Sequence, residues 1–211
     1  TPMEGLEAAP RMLYRMHSDT SRKKAGANAF GKEGLQRYTL TGDEFTDFLY
    51  VDFGHRKSDT RQMLVDRFNL LNNKWAPLKV VEHQSDAGKE FKQKKLKEEM
   101  AKLHITPRYS TPYCQYQNGW IEARMKEIDR CARAMMFRGN AEPCDWPYAI
   151  RHAVRLHNVM PTLSTGRSPY EKSTGLPNKV AVGKIRGSLF CKCYAKVFIH
   201  GKEERDAREC V

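Results

Sequence analysis

Short β-rich runs and amphipathic helical stretches alternate along this chain, and their order restricts its fold more than any other feature. Three strand-like runs come first. They are Met12–Ser18, which closes on Asp19, then Gln36–Thr41 and Phe48–Phe53, separated by the turn signal Gly42-Asp43-Glu44. Ser58-Asp59 then opens a helical pattern with Met63, Leu64, Phe68 and Leu71 on one side. A short run, Leu78–Val81, leads to Ser85-Asp86-Ala87-Gly88. A second helical stretch follows over 89–103, with Phe91, Leu96, Met100 and Leu103 inward and lysines outward. After the run Ile105–Ser110 come a polar loop, Thr111–Gly119, and two more helical stretches over 120–138 and 146–159. Three strands and then helix, strand, helix, strand, helix predict an α/β fold with a mixed five-stranded sheet flanked by helices.

The 211 residues suffice for one good core with a small appendage. The boundaries read as an N-terminal extension over 1–10, a core over 11–160, and a linker with a short β extension over 161–211. In that last part the convincing strand is Phe190–Ile199. Apolar runs are only a few residues long, so no segment is expected to span a bilayer. Lysine and arginine outnumber aspartate and glutamate by 37 to 25, a net +12. Such an excess suits a polyanionic partner, because phosphate contacts release counterions, although a merely soluble basic surface has the same signature. The six cysteines form no CxxC pair and no Cys/His quartet, which argues against structural zinc and for reduced thiols. His152 and His157 are five apart on a helical stretch, poor spacing for one ion.

Three acids stand where an α/β sheet gathers its site residues. Asp19 closes the first strand, Asp86 follows the fourth, and Glu122 lies in the first turn of the helix after the polar loop, with thirty-five residues between it and Asp86. Three converging carboxylates repel one another unless a cation neutralises them. Hard oxygen ligands with room for water and phosphate suit Mg²⁺ or Mn²⁺.

Ser85-Asp86-Ala87-Gly88-Lys89-Glu90-Phe91 resembles the Ser-Asp-Asn-Gly-Gly-Glu-Phe of Copia-type retrotransposon integrases. Thr111-Pro112-Tyr113 and Gln117-Asn118-Gly119-Trp120-Ile121-Glu122 resemble that family's Pro-Tyr-x-Pro-Gln-Gln-Asn-Gly-Val-Ala-Glu, and the interval between the two motifs is similar too. Ala132-Arg133-Ala134-Met135-Met136, Ser168-Pro169-Tyr170-Glu171, His17-Ser18-Asp19 and Asp43-Glu44-Phe45-Thr46 also resemble family segments, so the likeness runs from about Leu13 to Ile199. The resemblance implies an RNase H-like integrase catalytic core, of the retroviral-integrase superfamily, in which Asp19, Asp86 and Glu122 are catalytic and hold two divalent ions. It implies DNA 3′-end processing and strand transfer by in-line phosphoryl transfer. It also implies element ends and target DNA as partners, a homo-oligomer, and action in the nucleus. Tyr113, Gln117, Asn118 and Gly119 of the loop, with Lys126, Arg130 and Arg133 on the following helix, are the expected DNA contacts; a solvated face is the plainer reading of those helix charges.

The sequence also departs from that pattern. Thr20-Ser21-Arg22-Lys23 replaces a Gly-Pro after the first aspartate, and Ala87-Gly88-Lys89 brings a cation beside the second. Ala123 stands where an arginine usually follows the glutamate, with Arg124 next, and Gln115-Tyr116-Gln117 replaces Pro-Gln-Gln. A second reading therefore stays open: an integrase-derived, dormant protein serving as a structural subunit of a nucleoprotein or organellar assembly, with protein and RNA partners. A nuclease of the same fold acting on RNA–DNA hybrids would carry a fourth acid, and the sequence places none beside the three.

Overall fold

The computed structural model describes residues 7–21, 31–86, 88, 90–110, 118–162, 165–178, 190 and four short strands between 193 and 210. The basic segment 22–30, Ala87, Lys89 and the loop 111–117 lie outside the described residues. Five strands form one sheet: β1 (Arg15–Thr20), β2 (Arg37–Asp43), β3 (Leu49–Gly54), β4 (Glu82–Ser85) and β5 (Thr106–Tyr109). They lie in the order β3-β2-β1-β4-β5. The β1–β2–β3 meander is antiparallel, and β4 and β5 add in parallel beside β1. The mixed five-stranded sheet expected from the alternation is therefore present.

Period-2 alternation sends the β1 side chains to opposite faces. Met16 joins Leu64, Phe68 and Leu71 of helix α1 (Thr60–Lys74) and Leu96 and Met100 of α2 (Lys94–Lys102). On the other face, Tyr38, Leu40 and Leu49 pack against Ile121, Met125, Ile128 and Ala132 of α3 (Gly119–Arg138) and Ala149, Ile150, Ala153 and Val154 of α4 (Trp146–Val159). Each helix buries one apolar stripe, so the sheet is covered on both sides. No helix among the described residues is long and apolar enough to cross a membrane.

Boundaries differ from the sequence reading in instructive places. β1 starts at Arg15 because Leu13 takes φ 61° and its amide donates to buried Asp43 Oδ1 at 2.7 Å. The apolar run Leu78–Val81 is an approach to β4; the strand itself is the polar Glu82-His83-Gln84-Ser85, every residue of it buried. Polar partners make that burial possible: Glu82 accepts from Arg15 Nε and Arg108, and Gln84 reaches Ser110. His83 is instead wedged between the rings of Phe68 and Phe91. α2 begins at Lys94 rather than Lys89, which leaves a loop after Asp86. An additional short helix, α5 (Pro169–Thr174), is capped by Ser168, whose hydroxyl accepts from the Glu171 amide while the Glu171 carboxylate accepts from the Ser168 amide. Of the strand expected over 190–199, the described residues show two pieces, each in a small ladder. β6 (Cys193–Ala195) pairs with β9 (Arg208–Cys210), and β7 (Phe198–Ile199) pairs with β8 (Lys202–Glu203).

Candidate functional site

Strand register sets the first two acids side by side. β1 and β4 are parallel, with Ser18 opposite Ser85, so the next residue on each is Asp19 and Asp86 at the carboxyl ends of adjacent strands. Asp19 faces the α3 side of the sheet, in alternation with His17, whose ring lies 5.1 Å from that of Trp120. The third acid arrives with α3. A Cβ on Gly42 of β2 would stand 2.7 Å from two ring carbons of Trp120, so the missing side chain lets the start of α3 lie directly on the sheet. Glu122 follows in that first helical turn.

The charges of the neighbouring acids reach Asp19. Burial pushes the Asp19 carboxyl up to about 6, and the negative charges of Asp86, Glu122 and Glu90 add to the rise, against the Thr20 amide that donates to Asp19 Oδ1 at 2.7 Å. The triad carboxylates stand wider apart than a closed coordination cluster. Among the described residues, the group with ligand atoms all within 4.8 Å is Glu142, Cys144 and Asp145, at the start of α4. That group is a helix entry, where the Glu142 amide donates to Asp145 Oδ2.

Glu90 is the fourth acid that sequence reading did not place. Expected on a helix starting at Lys89, it lies instead in the loop before α2 and folds back toward Asp86, buried at 6% exposure. A Cβ on Gly88 would sit 2.7 Å from Glu90 Oε2 and 2.8 Å from Asp86 Oδ1. Gly88 thus keeps open a cradle between two carboxylates, and its amide donates to Asp86 Oδ1 at 3.0 Å. A small hard cation fits this setting: oxygen donors, a raised aspartate whose charge needs neutralising, and a space that any side chain at position 88 would fill.

The expected DNA contacts divide into three groups. Tyr113 and Gln117 fall outside the described residues, as does Lys89. Asn118 is buried at 1% exposure, and its amide has no hydrogen-bond partner among the described residues. Lys126, Arg130 and Arg133 are exposed on α3, and among the described residues none comes within 4 Å of where a Cβ on Gly119 would be. Arg124 is committed elsewhere: its guanidinium forks onto Asp47 at 2.8 and 2.7 Å, locking the β2–β3 turn to α3. The lysines at 92, 94, 95, 97 and 102 are solvent-facing, as the helical pattern predicts. A cavity of about 380 Å³ lies at the β3 edge, lined by residues such as Tyr50, Arg67, Val154 and Arg155, and holds none of the acids.

No family model matches the chain. Over 182 residues it is 27% identical to the Retrovirus-related Pol polyprotein from transposon RE1 of Arabidopsis thaliana, and over 181 residues 26% identical to that from transposon RE2. These matches cover 85% and 84% of this chain but only 12% of either polyprotein. Among solved structures, it is similar to a chain of the simian T-cell lymphotropic virus intasome in complex with PP2A regulatory subunit B56 gamma, with a TM-score of 0.63 and 13% identity over 98% of this chain and 74% of that one. It is also similar to the HTLV-2 integrase catalytic core domain in complex with magnesium, in trimeric form, with a TM-score of 0.58 and 16% identity over 78% of this chain and 98% of that one. The chain is therefore related in sequence to retrotransposon Pol polyproteins and has the RNase H-like fold of an integrase catalytic core.

Proposed function

We propose that the chain is the catalytic core of an integrase that processes DNA 3′ ends and joins them to target DNA. The observation that carries this reading is the placement of Asp19 and Asp86 at the carboxyl ends of two adjacent parallel strands, with Glu122 in the first turn of α3 beside them. Packing alone does not require three acids at the carboxyl ends of these central strands, and holding them there costs stability that a function has to justify.

Asp19, Asp86 and Glu122 are the residues that would hold Mg²⁺ or Mn²⁺, two ions by the family resemblance, which supply charge neutralisation and an activated attacking oxygen. The chain's own residues do the rest. Asp19 and Asp86 are fixed by strand register, and Glu122 by the seating of Trp120 on Gly42, so the site is aligned before substrate arrives. Lys126 lies one helical turn beyond Glu122, with Arg130 and Arg133 further along α3, and these exposed cations offer a track for the phosphates of bound DNA. In strand transfer the 3′-hydroxyl oxygen bonds to phosphorus as the opposite P–O bond breaks, which requires that alignment more than it requires a proton acceptor among the carboxylates.

The test is a strand-transfer assay in Mg²⁺ or Mn²⁺ with wild type, Asp86→Asn and Glu122→Gln. Both substitutions abolish joining while leaving the fold intact. A folded wild type with neither strand transfer nor metal binding would instead support a dormant, integrase-derived structural subunit.

A further inference from the structure

Glu90 is a buried acid that the three-carboxylate scheme leaves without a task. Its Oε2 and Asp86 Oδ1 crowd the same point above Gly88, and its charge reaches Asp19 together with those of Asp86 and Glu122. It therefore belongs to the same pool of negative charge rather than to a separate surface. One cation answers it among the described residues: Lys57 Nζ lies 2.9 Å from Glu90 Oε2. The two partners differ in setting, since the Glu90 side chain is 6% exposed and that of Lys57 is 54% exposed.

That asymmetry makes the lysine replaceable. Its ammonium hangs on four flexible carbons, is strongly hydrated when released, and gives up little by swinging into water. The buried carboxylate cannot follow and must keep a counter-charge wherever the lysine goes. The backbone that carries Lys57 stays in place, because the Asp59 carboxylate accepts from the amides of His55 and Arg56, both at 2.9 Å. Lys57 can leave Glu90 without unravelling its own turn.

We propose that Glu90 is a fourth carboxylate toward the divalent ion, and that Lys57 is its resident counter-cation, displaced as the ion enters and thereby freed to hold a substrate phosphate. Ion loading and DNA binding are then coupled through one side chain. This rests on the reading of Asp19, Asp86 and Glu122 as the ion-holding acids.

The experiment is a calorimetric Mn²⁺ titration of the full chain as wild type, Glu90→Gln, Lys57→Met and Asp86→Asn, with far-UV circular dichroism confirming that each is folded. Glu90→Gln keeps shape and volume and weakens Mn²⁺ binding by at least about tenfold. Lys57→Met removes the competitor and tightens binding on the order of fivefold. In a parallel fluorescence-anisotropy measurement with duplex DNA, Lys57→Met lowers affinity in the presence of Mn²⁺ but not in EDTA. Wild-type binding that is lost in Asp86→Asn yet unchanged in Glu90→Gln would overturn the role of Glu90 alone. Unchanged or weaker Mn²⁺ binding in Lys57→Met, or a DNA defect that persists in EDTA, would overturn the displacement. Absence of Mn²⁺ binding in the wild type would remove the underlying reading itself.

Discussion

Asp19 is the residue at which the proposed function and stability oppose each other. Its carboxyl is raised from 3.8 to about 6, first by burial and then by the neighbouring acids. An acid raised in the folded state holds its proton more tightly there than in the unfolded chain. Its contribution is therefore full below about pH 4 and is lost as pH rises through 6, a loss on the order of 3 kcal/mol by neutral pH. In EDTA, Asp19→Asn accordingly melts above wild type at pH 8, and the gap closes by pH 4; equal melting at pH 8 would mean the acids do not strain the fold. His83 works in the opposite direction. Burial between Phe68 and Phe91, followed by the charge of His17, pushes it down to about 3 from 6.5. Its contribution is present above pH 6.5 and is lost as pH falls toward 3, so His83→Met flattens the acid limb of a plot of urea midpoint against pH, and an unchanged limb would place that sensitivity elsewhere. Asp86 and Glu122 stand out in the sequence as candidates because each sits in a compact motif. Glu90 belongs to the same motif as Asp86, yet whether residues 90–93 continue a helix or turn back before it depends on contacts with distant residues such as Lys57.

At the scale of elements, α3 is positioned by two devices that no periodicity reveals. One is the absent side chain of Gly42 beneath Trp120, and the other is the Arg124 fork onto Asp47, a non-glycine residue at φ 62°. Gly42→Ala has to push Trp120 or Leu49 away from contacts of 2.7–2.8 Å, which costs about 1–3 kcal/mol and shifts the first turn of α3. The expected result is a lower urea midpoint together with weaker Mn²⁺ binding, because Glu122 moves with the helix. Gly119→Ala serves as the contrast. Among the described residues nothing lies within 4 Å of its added methyl, so its urea midpoint stays level or rises. A Gly42→Ala protein as stable as Gly119→Ala would show that the sheet and α3 are not in such close contact. The helices with clean apolar stripes were legible: α3 and α4 lie where periodicity puts them, to within a residue. β4 was not, because a strand of four buried polar residues has no apolar signature; its partners come from β1, β5 and the loops. α5 was hidden in plain view, since Ser168-Pro169-Tyr170-Glu171 is a capping box with proline in the first turn, and that signal alone marks a helix start.

For the whole molecule, the net charge of +12 meets a fold that brings Asp19, Asp86, Glu90 and Glu122 into one neighbourhood by the carboxyl ends of β1 and β4 and leaves basic side chains exposed on α2 and α3. A polyanion approaching such a surface is drawn by the general excess of positive charge but is positioned by whichever cations lie beside the carboxylates. If α3 is the track, Lys126, Arg130 and Arg133 each neutralise one phosphate, and each contributes about 0.9 to the slope of log affinity against log salt. Replacing all three with alanine then flattens that slope by nearly three in fluorescence-anisotropy titrations between about 50 and 200 mM salt, with affinity falling for every duplex sequence alike. Asp86→Asn, by contrast, leaves the slope in EDTA unchanged, because an acid contributes no released counterion to phosphate binding. The lysines of α2 provide the competing possibility within the same measurement. They are equally exposed but stand on the opposite face of the sheet, packed through Leu96 and Met100 against α1. A slope that survives the triple substitution on α3 and collapses when Lys94, Lys95 and Lys97 are replaced would put DNA across α2, away from Glu122, and the phosphate track along α3 would have to be abandoned.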